Sequence, residues 1–400
     1  MAGPLDGVKI LDLTSLISGP GMTMLLGDQG ADVIKVENPN GGDQTRRAGG
    51  KRDGLASSFL NNNRNKRSVV IDLKHPDGVA LFKELTRSAD VVAQNFRPGV
   101  VQRIGVGYEH IKAINADIIY LSIAGFGHEG PYAKKPVYDP IIQALSGLTS
   151  VQGGSDEARP RLVRTILPDK LTSMVAAQSV TAALLAKEKG RGGQHIRLAM
   201  LDVLIGFLWG SDMGGHTFVG EEVERETPQS DIDLIFETAT DYITIAVQTD
   251  KQWHGLCAAL DQPGLLEDER FKTLALRSKN INIRLQLVQD VLLRESAEHW
   301  LKVLEENDVP SAPVLTRRAM INHPQTEAND ILKFYDHPDA GRLRQPRPVA
   351  QFSGTIPEMR YPAPRLGQHT VEVLQEAGFT QERIKALFAD NIVKGEMSPG

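Results

Sequence analysis

Short apolar runs rich in branched residues recur along the first third of the chain, each followed by a stretch with helical spacing. "VKILDL" (8–13) reads as a strand, and "PGMTMLLGDQ" (20–29) as a helix that Pro20 can open and Gly30 can close. Further strands follow at "ADVIKVE" (31–37), "SVVIDL" (68–73), "DVVAQ" (90–94) and "IIYLSIAGFG" (118–127). A helix over 76–89 and another after "DVVAQ" fill the gaps. Strands that are apolar along their whole length and alternate with helices are buried on both faces. The pattern therefore predicts α/β architecture, a Rossmann-like large domain built on a parallel sheet.

Beyond residue 127 the reading continues with a helix over "DPIIQALSGL" (139–148) and a polar loop, "QGGSDEARP" (152–160). Asp169 stands just before a long helix (170–189) that holds five alanines between Ala176 and Ala186, small enough to let neighbouring backbones approach closely. "GRGGQHIRLAM" turns into a strand, and "LDVLIGFLWGSDM" is an apolar helix. Polar, irregular sequence then suggests a linker over 216–230. A smaller α/β domain (231–322) follows, with strands at "YITIAV" and "VPSAPVL" and three helices over "DKQWHGLCAAL", "NINIRLQLVQDVLLRE" and "AEHWLKVLEEN". The last stretch, 323–400, begins rich in Pro, Gly and Arg and reads as a return connection. It ends in two short helices that pack on the large domain, which itself spans 1–215.

Composition narrows the function. The 400 residues exceed one ordinary core, and 41% hydrophobic with 24% charged residues is the profile of a globular protein. A formal charge of −5, from 45 Lys+Arg and 50 Asp+Glu, lacks the basic field of a nucleic-acid binder. The single cysteine, Cys257, rules out an intrachain disulfide and fits a reducing compartment. No apolar run approaches the roughly 20 residues that span a bilayer, and the first residues lack a signal-peptide pattern. A cytoplasmic protein is expected, with no membrane or nucleic-acid partner.

Several chemistries lack their motifs. There is no HExxH pair and no cysteine set for zinc, so no metal site is expected. There is no GxSxG elbow and no GxxxxGK[ST] loop. The first strand-to-helix turn, "LDLTSLISGPG", is not GxGxxG, although Glu37 ends the second strand where a ribose-binding acid would stand. What the loops after successive strands do offer is Lys74, then Asn95, Phe96 and Arg97 in "NFRPG", then Arg103, and Tyr132 in "HEGPYAKKPVYDP". Cations with a flat aromatic face suit a phosphorylated nucleotide. Solvated surface charges are the plainer reading of the same residues. Asp169 is likewise open between a helix cap and a nucleophile.

The successive segments "PLDGVKILDLT…SGP", "GADVIKVENPNGGDQTR", "NNNRNKRSVVIDLK", "ADVVAQNFRPG", "LSIAGFGHEGPYAKKPVYD", "GRGGQHIRLAMLD" and "APRLGQHT" resemble, in order, those of class III CoA-transferases, the CaiB/BaiF family. The resemblance covers nearly the whole chain. It implies transfer of CoA from an acyl-CoA donor to a free carboxylic acid through an aspartyl-CoA thioester, with CoA as substrate and no tightly bound cofactor. It also implies an interlocked homodimer. Asp169 matches the catalytic aspartate of the family. Leu16, Ile17, Lys74, Asn95, Phe96, Arg97, Arg103, Lys135 and Tyr138 match positions that contact CoA.

Three departures bear on the branch. Asn38 replaces an arginine that some members place against the adenine. Ile17 replaces the glutamine of the formyl-CoA branch, and no glycine run occurs near 236–250, where that branch carries its lid. A formyl-CoA transferase is thereby disfavoured. The same fold hosts α-methylacyl-CoA racemases and could host an acyl-CoA isomerase, which is the alternative. Racemases use a His-Asp pair where this chain has Tyr138-Asp139, and tyrosine, with an ordinary pKa near 10, is a poor base at neutral pH.

Overall fold

Strand β1 (Lys9–Asp12) lies at the centre of a seven-stranded sheet because both its neighbours are apolar strands buried on two faces. In a computed structural model that describes residues 3–220 and 233–396, Leu11 pairs with Ile34 of β2 (Asp32–Glu37) on one side. On the other side it pairs with Val92 of β4 (Val91–Gln94). Strand β3 (Lys66–Ile71) flanks β2, while β5 (Ile119–Ala124) and β6 (His195–Ala199) extend the sheet beyond β4. These six strands are parallel in the order 3-2-1-4-5-6, so the strand order reverses between β1 and β4. Such a switch point leaves a crevice beyond the carboxyl ends of those two strands, where ligands of doubly wound sheets bind.

The helices that matter here are α1 (Ser18–Asp28), α2 (Pro76–Leu85), α3 (Val100–Ile104), α4 (Asp139–Leu145), α5 (Leu167–Ala186) and α6 (Met200–Trp209). Helix α1 follows β1 directly and packs on α5. Gly21 makes that approach possible: a Cβ there would lie 2.7 Å from Ser173 Oγ. Gly19 does the same for the loop before α1, since its Cβ would fall 2.2 Å from Thr14 Cβ.

One compact unit comprises residues 1–148, 162–210 and 330–400. Its core joins Leu11, Ile34, Val69 and Val92 of the sheet to Val371 and Leu374 of α10 (Thr370–Glu376) and Ile384 of α11 (Gln381–Ala389). The second unit comprises 149–161 and 211–329. It holds a three-stranded antiparallel sheet, β7 (Ile235–Glu237), β8 (Tyr242–Ile245) and β9 (Ser311–Pro313), with β8 central. Helices α7 (Asp250–Ala259), α8 (Ile281–Leu292) and α9 (Ala297–Glu306) cover it, burying Trp253, Trp300 and Cys257. Among the described residues no helix is long and apolar enough to cross a membrane.

Three expectations need correction. The stretch beyond 323 is not a bare connection: β10 (Leu332–His337) and β11 (Gly341–Pro346) form an antiparallel hairpin. The large sheet is not wholly parallel either, because β12 (Val393–Lys394) adds an antiparallel edge to β3. Helix α5 begins at Leu167 rather than after Asp169. The expected linker at 216–230 falls mostly on 221–232, outside the described residues.

Candidate active site

The loop from β1 into α1 is held in a tight bend by buried groups. Leu16 adopts a left-handed φ of 69°, a conformation costly for a branched side chain and kept only when its surroundings enforce it. The enforcers are visible. Asn95, at the end of β4, donates from Nδ2 to Ser15 O (2.8 Å) and accepts from Ser15 N–H at Oδ1 (2.9 Å). Leu16 N–H donates to Asp43 Oδ1 at 3.2 Å.

Beneath this loop lies a fully buried ionic cluster. Lys66 Nζ reaches Asp12 Oδ2 (3.2 Å), Pro20 O (2.9 Å) and Asn63 Oδ1 (2.9 Å). Lys35 Nζ joins Asp43 Oδ2 and Thr14 O, both at 2.9 Å. Burial opposes the charge on Asp12, but the ammonium groups of Lys66 and Lys35 and the Thr14 and Thr23 donors outweigh it and hold its pKa at about 2. Burial pushes Lys66 down to about 8, which leaves it charged at neutral pH.

Asp169 sits in the first turn of α5, three residues after the N-cap position, which is Ile166 and has no capping side chain. The cap reading of Asp169 therefore does not hold. Its side chain instead lies toward the start of α1, where the Ser18 hydroxyl and backbone N–H favour the ionised carboxylate. Ser173 Oγ links the two helices, donating to Ser18 O at 2.8 Å and also lying 3.0 Å from Asp169 O. The carboxylate is thus partly buried and lies against the positive ends of two helices.

The backbone N–H of Asp169 donates to Asp139 Oδ2 at 3.2 Å, so Asp139 caps α5 from another helix. Gln143, one turn along α4, fixes Asp139 by donating to its Oδ1 (2.7 Å) and braces the approach to α5 through Thr165 O (3.1 Å) and Val163 N–H (3.0 Å). Burial, then the neighbouring charge of Asp139, raise the Asp169 pKa to about 6 against the opposing Ser18 donors. Burial raises Asp139 as well.

The sign of the consequence is fixed by this shift. A carboxylate attacks only when ionised, so any catalysis through Asp169 is expected to rise with pH through about 6 and level off above it, read as kcat/KM. Asp139→Asn removes a neighbouring charge and is expected to move that midpoint down toward the ordinary carboxylate range. A pH profile of the variant with an unmoved midpoint would contradict the coupling.

The other expected site residues are divided between places. Lys74 and Phe96 line a cavity of about 480 Å³ beyond β1, β2 and β3, with apolar walls from Val36, Ile71 and Val100 and with Asn38 at its edge. Arg97 lines instead a neighbouring cavity of about 160 Å³ with His128, His195 and Arg197; Phe96 is common to both. Burial, then Arg197 and His128, depress His195 to about 4, so it is neutral there. Arg103, exposed on α3, lines neither of these cavities. Lys135 lies with its ammonium 3.3 Å from the centroid of the Tyr132 ring. Tyr138 is 66% exposed and immediately precedes Asp139. Leu16 and Ile17 lead into α1 beside Ser18. Sequence reading passed over Ser18, Asp43 and Gln143, and met Asp139 only as the partner of Tyr138 in the comparison with racemases. The available signal was Asp139-Pro140, a helix start, with an amide four residues on.

A doubly wound sheet with its switch-point loop braced by buried charges, a cavity beside that loop and a partly buried carboxylate at paired helix ends is the layout of an α/β enzyme. The chain belongs to CoA-transferase family III, whose profile matches residues 5–370. It is an enzyme that transfers CoA. It is 34% identical over 93% of its length to the Homo sapiens succinyl-CoA:glutarate CoA-transferase, covering 86% of that protein. It is 33% identical over 94% of its length to the Acetobacter aceti acetyl-CoA:oxalate CoA-transferase, covering 96%. A crystal structure of a CaiB/BaiF family protein from Brucella suis superposes with a TM-score of 0.82 at 30% identity, over 94% of this chain and 100% of that one.

Proposed function

We propose that this enzyme moves CoA between two carboxylic acids, at least one of them dicarboxylic, through a thioester formed on Asp169. The observation that carries the reading is the partly buried Asp169 carboxylate in the first turn of α5, beside the start of α1 to which Ser173 ties it. Glutarate, succinate and oxalate in the names of the two relatives support the dicarboxylic class.

The steps balance. Asp169 attacks the acyl thioester carbonyl, the C–S bond breaks, and a mixed anhydride and CoA thiolate result. The thiolate attacks the Asp169 carbonyl, releases the first acid as its carboxylate and leaves aspartyl-CoA. The second acid then attacks that thioester, and the released thiolate takes its acyl group, restoring Asp169. As each thiolate or acid adds to the Asp169 carbonyl, negative charge develops on an oxygen beside the start of α1, where the Ser18 N–H and hydroxyl would answer it as oxyanion donors.

The adenosine end of CoA occupies the 480 Å³ cavity in this reading, with Lys74 answering phosphate charge and Phe96 offering a ring face. Lys74→Ala is expected to raise the KM for acyl-CoA by about tenfold while kcat changes little, as loss of one charge-assisted contact would. An unchanged KM would remove Lys74 from the binding site. The function as a whole is tested by exchange: with succinyl-CoA as donor, labelled glutarate or oxalate should appear as a CoA thioester in ping-pong kinetics. Hydrolysis alone, or α-proton exchange without an acceptor acid, would contradict it.

We further infer a homodimer, with interlocked chains, and the domain division 1–215, 231–322 and 323–400 that the sequence suggests. Large apolar side chains left exposed on α5 and α6, namely Met174, Leu185, Phe207 and Trp209, support a partner surface. A cytoplasmic location fits the single cysteine.

A further inference from the structure

A chain of three polar side chains crosses from β6 to β4 and ends on the loop that carries Asn95 and Phe96. Gln94 is the last residue of β4, Ser122 pairs with it on β5, and His195 opens β6. Gln94 and Ser122 are buried, and His195 is half-buried. Phe96 N–H donates to Gln94 Oε1 at 2.8 Å, Gln94 Nε2 donates to Ser122 Oγ at 2.9 Å, and Ser122 Oγ lies 2.9 Å from His195 Nε2.

The first donor sets the direction of every bond that follows. A backbone N–H can only donate, so the Gln94 atom that meets it is the carbonyl oxygen, and the amide nitrogen faces Ser122. Ser122 Oγ accepts there, and among the described residues its own hydrogen has one acceptor in reach, His195 Nε2. Burial presses the His195 pKa down to about 4, so the imidazole is neutral and carries its proton on Nδ1. Its ring is stacked on Tyr108 with 4.6 Å between centroids and meets Tyr120 edge-on at 5.5 Å. The acceptor that ends the chain is thereby fixed in place.

At the other end the chain bends the backbone. By accepting from the N–H two residues on, Gln94 turns the strand out of the sheet at Asn95. The Asn95 amide then braces Ser15, and Phe96 becomes a wall of both cavities. A buried polar chain with every member paired specifies one arrangement, and loss of one member frees the others to turn. We propose that Gln94, Ser122 and His195 are positioning residues for CoA, acting through the Asn95–Phe96 turn that their hydrogen bonds hold in one conformation. This rests on the reading that CoA lies in the 480 Å³ cavity against Phe96. A turn that is competent for a fraction of the time lowers the apparent affinity by that fraction and leaves the complex, once formed, unchanged. Damage to the chain therefore belongs in binding rather than in the turnover of bound substrate.

Isothermal titration of free CoA into the full-length protein, with steady-state kinetics on an acyl-CoA that the parent turns over, tests this. Ser122→Ala should weaken CoA binding by about tenfold, the scale of a lost buried hydrogen bond, and raise KM alike, with kcat within about threefold of the parent. Ser122→Thr should recover most of the affinity, because the 160 Å³ cavity beside it has room for a methyl group. His195→Gln keeps an acceptor and loses the ring, whereas His195→Phe keeps the ring and loses the acceptor. The first should bind CoA more tightly than the second. Phe96→Ala, the control for the cavity, should also weaken binding. Unchanged affinity in Ser122→Ala beside a weakened Phe96→Ala overturns the positioning role alone, as does a His195→Phe variant that binds CoA like the parent. Unchanged affinity in Phe96→Ala overturns the placement of CoA and this proposal with it. None of these results turns on the chemistry given to Asp169.

Discussion

Replacing Asp169 with alanine is expected to lower CoA exchange by about 10⁴-fold or more, the scale of losing a covalent nucleophile, while the protein stays folded. Both halves of that statement follow from the same geometry. Asp169 stands where the starts of α1 and α5 meet, and among the described residues Asp139 is the one other carboxylate tied to that turn. Asp139 is the nearest candidate, but its Oδ1 accepts from Gln143 and its Oδ2 from Asp169 N–H. The stability half follows from linkage. The Asp169 pKa is about 6 in the folded protein and near 3.8 in the unfolded chain, so the native state binds the proton more tightly between those values. Native stability therefore falls as pH rises from about 4 to about 6, and above that window the ionised side chain is a net cost. Asp169→Ala removes the cost, and its Tm at pH 8 should equal or exceed that of the parent. Exchange within tenfold of the parent, or a lowered Tm at pH 8, would count against this account.

Asp12→Ala should have the largest effect on stability, about 3–5 kcal/mol, because it leaves buried cations without their counter-charge. Lys66 would keep only neutral acceptors, Pro20 O and Asn63 Oδ1, and Lys35 would keep Asp43 and Thr14 O. Thr14 N–H and both threonine hydroxyls, which Asp12 accepts at 2.5–2.8 Å, would also lose their partner. The loop that follows carries Leu16 in its strained conformation, so the damage should reach the site. A chemical-denaturation midpoint gives the stability loss. The double variant Asp12→Leu with Lys66→Met should recover much of it, since two apolar side chains replace a buried pair without an orphaned charge. A single substitution costing less than about 1 kcal/mol would mean that water reaches the cluster.

Much of the large sheet was legible because its strands are buried on both faces and so are apolar throughout, as in "SVVIDL" and "DVVAQ". Asp169 stood out for a related reason, a charge at the mouth of a small-residue helix. Its setting did not. Ser18 and Asp139 come from other helices, and the hydrogen bond between Asp139 and Asp169 spans 30 residues. Lys35 looks like any polar position in "DVIKVE", yet it is fully buried because Asp43, beyond a turn, folds back to meet it. The hairpin of β10 and β11 escaped notice because "LKFYDH" and "GRLRQP" each carry two charged residues among few apolar ones and sit in a stretch rich in Pro, Gly and Arg. Arg97 was grouped with Lys74 by loop order and by the resemblance, whereas the two line different cavities that share Phe96.

All of the chemistry proposed for this chain passes through a covalent bond between the Asp169 carbonyl and the sulphur of CoA. Hydroxylamine added during turnover with acyl-CoA, followed by peptide mass spectrometry, reads that bond directly. The account predicts conversion of Asp169 to its hydroxamate, dependent on acyl-CoA and absent in Asp169→Ala. An unmodified Asp169 peptide from enzyme that is turning over would contradict it.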